Sequence, residues 1–100
     1  MALRAYYSAY VRHCLRFYAK YPEPEFRTEA DRKDWNAVKT VFDGLESTVR
    51  NTVQELYGVS GENLPVKVKE ISSRDGVRPD QLYHLMVNIE NEVAKARGLI

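Results

Sequence analysis

Three observations predict an all-α domain. Apolar residues recur at spacings of three and four through nearly the whole chain. Glycine and proline fall where helices should stop and start, at Pro22 and Pro24, at Gly44, at Gly58, and at Gly76 followed by Pro79. Only the stretch around Val66 and Val68 alternates with charge, at Lys67 and Lys69, and no second alternating run exists to pair with it as a strand. One hundred residues with 44% apolar and 29% charged side chains suit a single ordinary domain with one modest core, so residues 1–100 are expected to form a compact bundle of four to five helices. No apolar run is long enough to cross a bilayer, and no membrane association is expected.

The first expected helix covers residues 1–21. Its apolar arc holds Leu3, Tyr6, Tyr7, Tyr10, Val11, Cys14, Leu15, Phe17, Tyr18 and Tyr21, about half the circumference, with Arg12, Arg16 and Lys20 opposite beside Ala5, Ala9 and His13. The formal charge of +1 hides an asymmetry: residues 1–21 carry Arg4, Arg12, Arg16 and Lys20 and no acid, whereas residues 41–100 hold seven basic and nine acidic side chains. Such a ridge suits phosphates or carboxylates, although it would equally serve as a solvated face. A basic, acid-free amphipathic start also has the composition of a transit peptide or a membrane-surface helix, but this density of aromatic residues fits a packed core better.

Two prolines then hold residues 21–26 extended. Thr28 is placed to cap a second helix, about 29–42, with Asp31 standing where a capping box prefers Glu or Gln. Its inner side is Ala30, Trp35, Ala37, Val38, Val41 and Phe42. Gly44 offers a left-handed stop, and Ser47 can cap a third helix that ends at Gly58, with Leu45, Val49, Val53 and Leu56 as its stripe. A single helix running through Gly44 would cost only about 1 kcal/mol, so continuity remains open. Residues 59–63 form a loose loop. For 64–70, Pro65 in a first turn and the pair Val68 and Ile71 favour a helix over the exposed strand that the alternation would allow.

Residues 64–97 then read as a short helix, a tight turn at Asp75-Gly76-Val77, and a long helix opening at Pro79. Ser72 is small enough for close helix packing, Gly76 supplies a positive φ, and Leu82, Leu85, Ile89, Val93 and Ala96 form the inner seam. That is the spacing of a helix-turn-helix, whose second helix enters the DNA major groove. On the outer side, Arg78, Gln81, His84 and Asn88 could meet base edges, alongside Asp80, Tyr83 and Val87, while Lys67, Lys69 and Arg74, with Arg12, Arg16 and Lys20 of the first helix, could hold phosphates. Four to six such contacts would give log affinity a slope against log salt of about 4 to 5 in magnitude. Asp80, Glu90 and Glu92 oppose this by repelling phosphates.

The residues Val53, Leu56 and Tyr57, followed by Ile71, Ser72, Gly76, Val77, Leu82 and Leu85, resemble the helix-turn-helix of sigma-factor region 4 and of small phage-type transcription regulators built on that plan. The resemblance covers Val49 to Arg97 and implies a small regulatory protein that binds double-stranded DNA, with a dimer expected for specific control. The chain departs from the pattern at Arg78, where the family commonly has a Ser or Thr cap, and at Tyr83 and His84, where it is commonly more basic.

Nothing in the sequence forms a catalytic constellation, a phosphate loop, a cofactor motif or a metal-ligand set, so no enzyme, cofactor or metal is expected. His13 and Cys14 diverge by about 100° on one helix and make no local pair. The single cysteine excludes an intramolecular disulfide and is expected to be a buried small apolar residue in a cytoplasmic protein. The alternative to DNA binding is a helical adaptor or inhibitor whose basic, tyrosine-rich first helix meets an acidic protein surface.

Overall fold

The computed structural model describes residues 5–20 and 25–100, and side chains from Tyr7 onward within the first of these ranges. The expectations for Leu3, Tyr6, Tyr21 and the proline turn lie outside the described residues. Within them the chain forms five helices and no strand: α1 Ala5–Lys20, α2 Glu29–Asp43, α3 Ser47–Tyr57, α4 Leu64–Asp75 and α5 Pro79–Arg97. The stretch at 64–70 is therefore helical, and α2 and α3 are separate. The radius of gyration, 13.2 Å, equals the roughly 13 Å of a close-packed chain this long.

α5 is the axis of the bundle. It touches α1, α2 and α4, most extensively α2, while α1 also meets α3 and α3 meets α4. Being covered on several sides, it buries Leu82, Met86, Ile89, Glu90, Val93 and Ala94, a wider arc than one amphipathic seam. Ala96, expected in that seam, is exposed, because the covered arc runs through Ala94 toward Arg97 instead. The core is completed by Val11, Cys14 and Leu15 of α1, Ala37, Val38 and Phe42 of α2, Val53, Leu56 and Tyr57 of α3, and Val68 and Ile71 of α4. Phe17 and Ala30 were expected inside and are exposed. Tyr18 packs edge-on against Phe42, and Phe26 against Trp35, extending the core outward as an aromatic row.

The helix ends follow local chemistry. Thr28 Oγ1 accepts from the Asp31 N–H at 3.1 Å, and the Asp31 carboxylate reaches back to the Arg27 N–H, a residue earlier than a capping box would place it. Gly44 does not take the left-handed conformation expected of it. At φ −83° it stays right-handed, and the turn closes through Gly44 N–H to Val41 O and Leu45 N–H to Phe42 O. Arg50 accounts for part of this, donating from Nε to Phe42 O and from Nη2 to Leu45 O, so the end of α2 is held by a side chain from α3. Glu46, not Ser47, occupies the N-cap of α3 and makes no side-chain capping bond.

Candidate nucleic-acid interface

The turn between α4 and α5 is built as its residues require. Gly76 adopts φ 67°, and its N–H closes α4 on Ser72 O at 3.0 Å. Ser72 does more than leave room: its hydroxyl donates to Val77 O across the turn. Pro79 begins α5, Arg78 sits at its N-cap, and the Gln81 side-chain oxygen accepts from the Arg78 N–H at 3.0 Å. Gln81 thus supplies the N3 half of a capping box, while the arginine at the N-cap has no acceptor to supply the other half. The Gln81 carbonyl is engaged, which leaves its amide hydrogens to meet an acceptor.

Arg78, Gln81, His84 and Asn88 are all exposed, as are Asp80, Tyr83 and Val87, whereas Leu82, Met86 and Ile89 between them are buried. The base-facing candidates therefore share the solvent side of one helix whose other side is core. Arg78 Nε lies 3.5 Å from Asp80, an open ion pair that water and phosphate can compete for.

The six expected phosphate-binding cations sit on α1 and α4, and three of them, Arg12, Lys67 and Arg74, are ion-paired. Arg74 makes a bidentate pair with Glu55 at 2.9 and 2.8 Å and also bonds Asp75, clasping α4 to α3 and depressing the Glu55 carboxyl below its ordinary range. Arg12 donates from Nε to Glu90 at 3.2 Å. Arg16 is half-buried beside the loop after α3, where a Cβ on Gly61 would stand 3.4 Å from its guanidinium. Lys20 is exposed in the last turn of α1. Lys67 pairs with Glu70 at 3.2 Å one turn away, and Lys69 is exposed. Glu90, expected to repel phosphates, is only 5% exposed and faces inward, so that objection rests on Asp80 and Glu92 alone.

Two polar clasps around α5 had no forecast. In the first, Tyr57 OH donates to Glu90 Oε2 at 2.6 Å while Arg12 binds the other oxygen, joining α1, α3 and α5. In the second, Tyr10 OH lies 2.6 and 2.7 Å from the two Asp34 oxygens, and Arg97 Nε donates to Asp34 at 2.7 Å, joining α1, α2 and α5. Burial, with the Asp34 carboxylate adding to it, pushes both Tyr10 and Cys14 up to about 12. A thiol held neutral in this way is a packing group and a poor nucleophile. The signal for Glu90 was in the sequence: it lies between Met86, Val93 and Ala94 on the apolar arc of α5. Asp34 and Arg97 are far apart in the chain, and no local pattern joins them.

Two tyrosines of α1 serve the same interior. Tyr10 is bonded to Asp34, Tyr18 packs edge-on against Phe42, and both are partly covered. No group of His, Cys, Asp and Glu among the described residues is arranged to hold a metal ion, and no described helix is long and apolar enough to cross a membrane. No protein-family model, curated protein or solved structure matches the chain.

Proposed function

We propose that this protein is a small DNA-binding module, a transcription regulator of the phage type, that lays the N-terminal half of α5 in the major groove of duplex DNA. The observation that carries this reading is the exposure of Arg78, Gln81, His84 and Asn88 on one side of a helix that follows a Gly76 turn and buries its other side. Those side chains can donate to guanine and adenine acceptors, with Asn88 retaining both its donor and acceptor for adenine. Burial of Glu90 removes one acidic group from the approach to the backbone. Tyr10 and Tyr18, on which a protein-binding adaptor would rely, are engaged with Asp34 and Phe42 inside the bundle, which favours the DNA reading.

The ion pairs change the expected energetics. Arg12, Arg74 and Lys67 would each have to leave a carboxylate partner to meet a phosphate, which lowers the number of expected contacts from six to about three. Three contacts give log affinity a slope against log salt of about −2.7, shallower than six cations would produce. The test is fluorescence anisotropy on a mixed-sequence duplex across a salt series. The expected result is weak binding with that slope, reduced by about one in Lys69→Ala and unchanged in Arg12→Ala. No binding even at low salt would overturn the proposal and turn attention to a protein partner.

A further inference from the structure

Polar readout of bases leaves two side chains of α5 without a role. Tyr83 is 40% and Val87 51% exposed, one helical turn apart on a helix whose core contacts are made by Leu82, Met86, Ile89 and Val93. On the helix Val87 stands about 60° from His84 and Tyr83 about 40° further round, so the two flank the hydrogen-bonding residues on one side. Two apolar side chains set beside polar ones are too small a surface for a stable protein interface, which needs about 800 Å² from each partner. In the major groove the one base-edge group that takes an apolar partner is the C5-methyl of thymine.

Resting on the DNA reading above, we infer that Val87 and Tyr83 read thymine methyl groups, so that the site beneath the second turn of α5 contains A·T pairs. Side chains four residues apart are separated by about 6 Å along the helix. The spacing between bases on one strand is about 3.4 Å, so the two methyls stand about two base steps apart.

The test begins with selection of bound duplexes from a randomised library using the full chain. Each thymine of the selected site is then replaced in turn by uracil, which removes the methyl and keeps the Watson–Crick and major-groove oxygens. Burying one methyl predicts an affinity loss of about three- to fivefold at one or two positions. Val87→Ala should bind the thymine and uracil duplexes equally at one of them. Its melting curve should match the parent, since the residue contributes little to the core. Uracil duplexes bound as tightly as the thymine parent would overturn the methyl contact while leaving DNA binding in place. A Val87→Ala variant that still discriminates by the same factor would overturn the role of Val87. Failure of the library to enrich any duplex at low salt would overturn both this inference and the reading beneath it.

Discussion

Glycine is needed in this chain for more than one reason, and the backbone angle alone does not say where. Gly58 has an ordinary φ of −76°, yet a Cβ there would lie 2.9 Å from the Gln54 carbonyl oxygen, closer than real Cβ atoms come. At Gly44 the nearest atom to a built Cβ is Val41 O at 3.5 Å, an ordinary contact. Gly58→Ala should therefore destabilise the fold by about 1 to 3 kcal/mol. Gly44→Ala should be neutral or stabilising by up to about 1 kcal/mol through the unfolded chain. Thermal or urea unfolding of the two variants checks both, and equal effects would refute the distinction. Sequence reading could place both glycines at helix ends, but close approach of backbone atoms is set by the path of the chain. Glu90 shows the opposite case: it was expected among the exposed acids and is buried, and its apolar neighbours Met86, Val93 and Ala94 on α5 are the local signal that could have placed it inside.

At the level of helices, the spacing of apolar residues located the described elements, with Pro65 needed to decide for a helix at 64–70, and the Gly76 turn formed as its residue types required. The partners that tie helices together were not legible, because Arg50, Glu55 and Asp34 meet groups on other helices through the fold. The clearest test of an inter-element bond is Ser72, whose hydroxyl holds the Val77 carbonyl across the α4–α5 turn. Ser72→Ala should cost about 1 kcal/mol, and Ser72→Gly more, since it also loses helix propensity. Chemical denaturation gives the values. If the alanine variant is as stable as the parent, the serine is there for its size alone.

For the whole molecule, the buried cluster at α1, α2 and α5 sets a limit on alkaline stability. Below pH 9 both Cys14 and Tyr10 are neutral folded or unfolded, and their contribution is fully present. Above it the unfolded chain ionises first, near the ordinary values of 9.0 and 10.0, while the folded groups hold their protons to about 12. The unfolded state then binds fewer protons and stability falls as pH rises from about 9 to about 12. The double variant Cys14→Ala and Tyr10→Phe should have a flatter alkaline limb in unfolding experiments, even if its stability at neutral pH is lower. An unchanged slope would show that these groups ionise freely in the fold.

The central claim, that α5 enters the groove through its exposed N-terminal half, is tested most directly by following the amide resonances of isotopically labelled protein during titration with a short duplex. The account predicts shifts concentrated from Gly76 to Asn88 and around Lys67 and Lys69, with the amides near Arg12 and the Glu90 clasp little changed. Shifts confined to α1, or none at a duplex concentration well above that of the protein, would contradict it.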